Sequence, residues 1–493
     1  MPTEYPSGDY LLIFNSPNAQ ATTPSPYEIT VFNYPVFPQN ELHNQSVYAM
    51  DNWAIKHVSL NLGVRAERYR AFYPKQVTTA NQFADVFPKT TIPDTTVLTW
   101  FDVVPRAGVA WDIKGNGKTV VKGSFGMFGD TMGFLYANLY NPESVQSRTY
   151  DWNGPCQATA PLAPVEWQCD VTPATLASLP SLPLVTQSGG ISQVLNRNLK
   201  QDRTYEYVAK VERQLIPNLA FTAGYIRHSI YNNYNSTTNG GSIAPTETYT
   251  TVGVNTGIAV GHPYTSYNLP VTFSYTLNGQ ATPVTLYTYP KGSGTTSYEL
   301  LNNPSGRPDI FNTFEVALTR IFSNKFSGST SFWVTKDHRW INGLAGTGVG
   351  SPNDDPYPID NTWNWEARAD VFYNLPWKFN VSSLFRATSG TYGQLTGSFS
   401  GTGSNGEKLN QGGVSTRLGP FGQYQGPFIE VWNAKGARTF TFRDRFNIED
   451  HIEYFNMLNS NAAVSTSYLT STFGAVTGIV SPRVLRLGAV FSF

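Results

Sequence analysis

Apolar and polar residues alternating at every second position constrain this chain more than any other feature. From Val58 one set of positions reads Val58, Leu60, Leu62, Val64 and Ala66, and the intervening set reads Ser59, Asn61, Gly63, Arg65 and Glu67. Leu219, Phe221, Ala223 and Tyr225 alternate likewise with Ala220, Thr222 and Gly224, and Phe326, Thr330, Phe332 and Val334 with Ser327, Ser329 and Ser331. Phe379, Val381 and Phe385 alternate with Asn380, Ser382 and Arg386. At the end, Leu485, Leu487, Ala489, Phe491 and Phe493 face away from Arg486, Gly488 and Ser492. A period of two belongs to a strand with one apolar face. Wound as a helix, the same segment would set Arg65 and Glu67 among apolar neighbours, so strands are expected.

A soluble sandwich alternates in the same way, and the connections separate the two. Short turns recur at Ala54–His57, Lys114–Lys118, Ile216–Asn218, Ser323–Lys325 and Leu375–Lys378. Between them lie the long stretches Pro74–Leu98, Thr131–Asp202, Tyr231–Pro308, Arg339–Asn361 and Thr391–Gly426, rich in Gly, Ser, Thr, Asn, Pro and Tyr. Compact soluble domains rarely hold loops this long. Outer-membrane barrels do, with short turns on the periplasmic side and long loops outside. Strands are expected over 44–54, 58–72, 98–113, 118–130, 203–215, 218–230, 309–321, 326–338, 362–374, 378–390, 427–441, 446–456 and 483–493, with one or two more before residue 44. The fold class is therefore all-β, a transmembrane antiparallel barrel with about 14 strands in this chain.

Composition agrees. Charged residues make up 14% of the chain and aromatics another 14%, where a soluble domain carries about 25% charge. Trp53, Trp111, Phe322, Tyr373 and Trp377 collect at the short-turn ends, as an aromatic girdle at one membrane interface would. No apolar run approaches the ~18 residues that a membrane helix needs. Lys plus Arg equals Asp plus Glu at 34 each, and the basic residues are spread out, so no nucleic-acid partner is expected. The start, Met1-Pro2-Thr3-Glu4, lacks a basic region, and Leu11–Phe14 is too short for a signal peptide. An exported barrel needs such a signal, so the expectation is that the chain begins downstream of its true start.

Chemical motifs are sparse. Gly117-Lys118-Thr119 resembles the end of a phosphate-binding loop, but that pattern needs glycine where Asp112 stands, and an Asn-Gly hairpin turn explains the segment better. The six histidines (His43, His57, His228, His262, His338, His451) lack metal-ligand spacing, and no catalytic elbow or carboxylate pair stands out. Asp354, Asp355 and Asp360 share a loop but no calcium-binding pattern. No enzyme, cofactor or metal site is expected. Cys156 and Cys169 lie close together in a Pro-rich loop and are expected to form a disulfide in an oxidising compartment.

Several segments resemble the barrel of TonB-dependent receptors, specifically the Oar-like group. Ser46 to Trp53 running into Val58 to Arg65 looks like the family's "Y-x-x-D-x-W … L-x-L-N-x-G-x-R" hairpin. Val104 to Trp111 with Lys118 to Gly126 is similar to its "P-R-x-G-x-x-W" strand and partner. Phe455 to Asn459, Phe473-Gly474 and Pro482 to Gly488 resemble its closing motif. The resemblance covers most of residues 44–493 and implies TonB-dependent uptake across the bacterial outer membrane, with loops capturing an extracellular ligand. It implies outer-membrane lipid, a TonB-type energy-transducing complex and the barrel assembly machinery, through the terminal Phe493, as partners. It also implies a barrel of about 22 strands, of which residues 44–493 would be the carboxy-terminal portion and 1–43 an amino-terminal strand or two and a loop. The family's signal peptide, regulatory-like domain, TonB box and plug have no counterpart in the sequence, so no residue is assigned to energy coupling. Tyr-rich loop segments at Tyr231–Tyr234 and Tyr264–Tyr267 suit sugars, peptides or adhesive contacts equally. The alternative readings are a structural or adhesive surface barrel that transports nothing, and a soluble β-rich lectin or glycosidase.

Overall fold

Thirteen strands hydrogen-bond in unbroken chain order to make the wall, and their alternation explains why they pair as they do. The computed structural model describes residues 10–14, 26–79, 81–152, 156–158, 167–169, 173–189, 198–232, 260–261, 266–291, 296–297, 308–341, 351–353, 356–442 and 446–493. The wall strands are β1 (Glu41–Ile55), β2 (Val58–Tyr73), β3 (Thr95–Asp112), β4 (Thr119–Gly129), β5 (Arg203–Ile216), β6 (Leu219–Tyr231), β7 (Asp309–Ser323), β8 (Phe326–Trp340), β9 (Trp363–Leu375), β10 (Phe379–Thr388), β11 (Ile429–Phe442), β12 (Phe446–Phe455) and β13 (Val484–Ser492). Every neighbouring pair is antiparallel, and a fourteenth short strand, Ile359–Asp360, pairs with the end of β8. Each expected strand is present within a few residues of its expected bounds. Among the described residues, β1 and β13 are the two edges of this sheet and do not pair with each other.

Tight turns close one end of the wall, and those among the described residues are built on backbone that turns left-handed. Lys56 (φ 52°), Asn218 (φ 65°), Asn324 (φ 48°), Lys325 (φ 69°), Trp377 (φ 61°) and Lys378 (φ 59°) hold these turns. Between β3 and β4 the positive φ values fall on Gly115 and Gly117 rather than on Asn116. Asp112 accepts hydrogen bonds there from the Gly117 and Lys114 amides at 2.6 and 3.3 Å. A Cβ on Gly115 would come within 2.1 Å of the His57 ring, so the hairpin also needs glycine for space. The phosphate-loop likeness is thus a structural turn.

Directly opposed residues share a face of a sheet, so the register sorts the side chains. One face carries Leu60, Leu62 and Val64 of β2, Tyr207 and Val211 of β5, Phe314, Val316 and Leu318 of β7, and Leu485, Leu487 and Phe491 of β13. These side chains are open to the surroundings, Leu487 at 70% and Phe491 at 57%. Trp53, Trp111, Phe322, Tyr373 and Trp377 are likewise exposed, at the turn ends of their strands. No helix among the described residues is long and apolar enough to cross a membrane. An exposed apolar face of this size, ringed with aromatics, is a lipid-facing surface.

One expectation is corrected. The strands before residue 44, Tyr10–Phe14 and Pro26–Phe32, do not extend the wall. They form a separate four-stranded sheet with Gln146–Asp151 and Leu184–Gly189 of the long β4–β5 connection. The reason is a core of their own. Ile29 and Val31 are fully buried with Phe83, Val86, Tyr150, Trp152, Leu176 and Leu179, a set drawn from three chain segments and closed to lipid.

Candidate functional site

The face opposite the apolar one is a lattice of charge. Lys122 of β4 reaches Glu212 of β5 at 2.7 Å, and Lys210 of β5 reaches Glu315 of β7 at 2.6 Å. His228 of β6 meets Glu206 of β5, and Ser329 of β8 meets Asp370 of β9. Glu366 of β9, only 5% exposed, is held by Arg368 and, at 3.0 Å, by Arg386 of β10. Lys435 of β11 pairs with Glu449 of β12 at 2.9 Å, and Arg486 of β13 with Glu453 of β12. Both signs interleave along this face, so its side chains offer hydrogen-bond donors and acceptors from strand to strand. A buried carboxylate between two guanidiniums is stable because each oxygen finds a charged donor.

At the loop ends the inner face is covered. The short helix α1 (Leu135–Tyr140) lies over β2 and β3, where Met132, Tyr136, Ala137 and Tyr140 bury against Tyr69, Ala71, Leu98 and Trp100. Trp100 stacks edge-on to Tyr136 at 5.4 Å, and its Nε1 donates to the Leu199 carbonyl at 2.8 Å. Beneath them Tyr69 donates to Glu67, which also pairs with Arg65, while Arg203 holds Asp102 at 2.8 Å. A Cβ on Gly129 would approach Gln201 Nε2 to 2.5 Å and Asp102 Oδ2 to 3.3 Å, so glycine lets the loop strand close here. The start of the long β4–β5 connection thereby folds over the polar face of β2 and β3.

Polar side chains tie this cover to the amino-terminal segment. Gln76 donates to Asn141 Oδ1 at 3.0 Å and accepts from the Gln39 amide at 3.0 Å, and Asn141 donates to the Gln39 carbonyl at 3.1 Å. Glu143, 3% exposed, accepts from the Phe37 amide at 3.5 Å through one oxygen. Burial pushes its carboxyl above the usual range, and the Phe37 N–H opposes this only in part. The folded cover therefore favours the protonated acid. Its stability is full below the ordinary carboxylate value and declines as pH rises from that value towards the raised one. Glu143→Gln is expected to slow amide exchange over 141–152 at neutral pH and to leave it unchanged in acid.

Described parts of the remaining loops interlock with one another. The hairpin of Leu269–Leu277 with Gln280–Thr288 packs Val271 and Leu286 against Leu409, with Phe399 and Val414 beside them. Asn353 donates to the Tyr287 carbonyl at 2.9 Å and accepts from the Tyr287 amide at 2.8 Å, while its own carbonyl takes Thr416 Oγ1 at 2.7 Å. Tyr424 stacks on Tyr468 at 5.4 Å, with Phe473 edge-on at 4.9 Å. Three long connections and the β12–β13 loop thus make one continuous cap.

Residues singled out in the sequence are placed differently from one another. Asp360 is buried, accepts from Thr362 and pairs with Arg339 at 3.1 Å. Asp354 and Asp355 lie outside the described residues, as do Tyr234, Tyr264 and His262. Among the described residues no group of His, Cys, Asp or Glu is arranged to hold a metal ion. Backbone pairing sets Cys156 directly opposite Cys169 in a two-stranded ladder. The inward-folded α1 and the Gln76–Asn141 network had no signal in the sequence beyond a Tyr- and Asn-rich loop.

Residues 16–411 match a family model described as outer membrane beta barrel domain. No curated protein sequence matches the chain. Among solved structures, the FrpB iron transporter from Neisseria meningitidis (F3-3 variant) is 11% identical, with 94% of this chain and 45% of that chain covered at a TM-score of 0.42. The ferric-catecholate import receptor Fiu from E. coli is 10% identical, with 94% and 50% covered and a TM-score of 0.43. The siderophore receptor PiuA from Acinetobacter baumannii is 11% identical, with 95% and 44% covered and a TM-score of 0.43. The chain spans about half the length of these structures.

Proposed function

This chain belongs to the outer membrane beta barrel domain family, and from that membership we propose that it takes part in uptake of a polar solute across the bacterial outer membrane. The observation that carries the reading is the segregation of charge. The cross-strand pairs Lys122–Glu212, Lys210–Glu315, Glu366–Arg386 and Lys435–Glu449 all lie on the face away from the apolar one. A wall that only filled space would gain nothing from a continuous polar lining, since charges turned from lipid are costly to desolvate unless paired. The cap supplies amides, hydroxyls and tyrosines, which suit capture of a hydroxylated or peptidic ligand. The sequence resemblance adds TonB dependence to the proposal, with energy coupling assigned to no residue of this chain. The test is a comparison of spent medium from the source bacterium, a strain lacking this gene and a strain lacking its TonB-type energiser. A compound consumed by the first and spared by both mutants is expected. If both mutants consume everything the parent does, the structural or adhesive reading replaces transport.

The cap is also proposed to carry a disulfide between Cys156 and Cys169. Opposed residues of an antiparallel pair have Cα atoms about 4.5–5.5 Å apart, inside the range a disulfide spans, and the two are opposed here. Denatured, unreduced protein should take up no alkylating reagent, and reduced protein should take up two. Labelling without reduction would dismiss the bridge. Closing so short a loop contributes about 3 kcal/mol to local stability.

A further inference from the structure

Register lines up one row of side chains on the apolar outer face, near the loop ends of the strands. Phe125 of β4 stands opposite Tyr207 of β5, Tyr207 opposite Arg227 of β6, Arg227 opposite Asn312 of β7, Asn312 opposite Lys336 of β8, and Lys336 opposite Trp363 of β9. Arg227 lies eight residues beyond Leu219, and Lys336 ten beyond Phe326, counting from the short-turn end. At ~3.4 Å per residue and a tilt of ~40°, that is about 21–26 Å along the barrel axis, the top of an apolar band about 25 Å tall. The row therefore sits where hydrocarbon gives way to headgroups on the loop side.

Two cations of that row have no carboxylate within ion-pair distance among the described residues. Arg227 donates to Ser229 Oγ at 3.3 Å and to Asn312 Oδ1 at 3.3 Å, an amide that also takes the Tyr225 hydroxyl at 2.7 Å. Lys336 reaches the Asn361 carbonyl and lies 5.3 Å from the centre of the Trp363 ring. Beside Arg227 a cleft of about 700 Å³ opens outward, lined by Tyr205, Tyr207, Tyr225, Ser229 and Tyr231. Near the short turns of the same face, Arg438 packs on Phe379 and Phe440 and stands opposite Asp450, while Arg320 lies over Phe326 and donates to Ser323 Oγ at 3.4 Å. The arginine and lysine are two strands apart, about 10 Å, with uncharged hydrogen-bonding groups between them.

We propose that Arg227 and Lys336 bind the phosphate of a lipid headgroup in the outer leaflet, with the tyrosines of the cleft against its polar body. A guanidinium meets a phosphate with two parallel hydrogen bonds, and the ammonium adds a second positive charge. The outward opening and the flanking Phe125, Tyr207 and Trp363 select a lipid over a soluble anion, because a lipid alone presents phosphate at that depth beside acyl chains. This site lies on the opposite face from the proposed solute path, so its failure would leave that reading intact.

The experiment measures binding to the detergent-solubilised full chain of phosphatidic acid, phosphatidylcholine and inorganic phosphate, by native mass spectrometry and thermal shift. Phosphatidic acid is expected to bind at least about tenfold more tightly than phosphatidylcholine, with no shift from inorganic phosphate. Arg227→Gln with Lys336→Gln should weaken phosphatidic acid about 20-fold, near the effect of two basic groups at an anionic surface. Arg227→Lys with Lys336→Arg should keep most of the binding. Equal binding of the two lipids by the unaltered protein overturns the proposal, as does an undiminished preference in the double glutamine variant. A shift from inorganic phosphate as large as that from phosphatidic acid assigns the site to a free anion and overturns the lipid.

Discussion

Arginine in place of Val316 is expected to destabilise the wall by about 2–4 kcal/mol, and arginine in place of its neighbour Ala317 by far less. Val316 is the central residue of β7 and lies on the outer face, opposite Ala223 and Phe332. It is 43% exposed, so its side chain meets whatever surrounds the protein rather than a protein core. A guanidinium there would sit at the middle of the hydrocarbon layer, too far from either interface to reach water without distorting strand or bilayer. Ala317 points the other way, opposite Thr222 and Ser331, where a cation joins a face already carrying Lys210 and Glu315. The two substitutions are one residue apart and differ only in face. Unfolding by denaturant from lipid vesicles measures the difference. Similar losses at both positions would refute the assignment of faces.

Trp100→Ala is expected to cost about 3–5 kcal/mol of local stability, the usual price of deleting a buried indole. The loss should be confined to the cover over the mouth. Trp100 is 4% exposed, stacks with Tyr136 and donates to Leu199, so it joins β3 to both ends of the inward-folded segment. Without it, residues 132–140 should exchange their amide hydrogens far faster and become open to protease, while the wall strands keep their protection, as sub-global opening allows. A wall that unfolds with the cover would show instead that the two form one cooperative unit. In the transport reading the opened cover should also raise passive ion conductance in planar bilayers.

The alternation beginning at Val58 and the short turns at Lys56, Asn218 and Asn324 were sufficient to locate the wall strands and to say which side chains share a face. Both are local properties. A period of two follows from backbone geometry alone, and a turn of two residues leaves antiparallel pairing as the only way for its flanks to meet. Leu487 and Arg486 were legible as opposite-facing for the same reason, without any knowledge of their neighbours. What the sequence could not disclose are contacts between distant segments. Lys122 finds Glu212 only because β4 pairs with β5 in one register across a connection of more than seventy residues, and nothing near either residue sets that register. The fate of Pro26–Phe32 was equally hidden. Its alternation suits a wall strand, but Ile29 and Val31 bury completely against Phe83, Tyr150 and Leu179 instead. The inward turn of α1 rests on Trp100 meeting Tyr136, and the row of Arg227, Asn312 and Lys336 exists only once three strands are in register. Strand identity and face were set by the chain locally, whereas partners, cover and cation row were decided by tertiary pairing, because each depends on which distant residues the register makes neighbours.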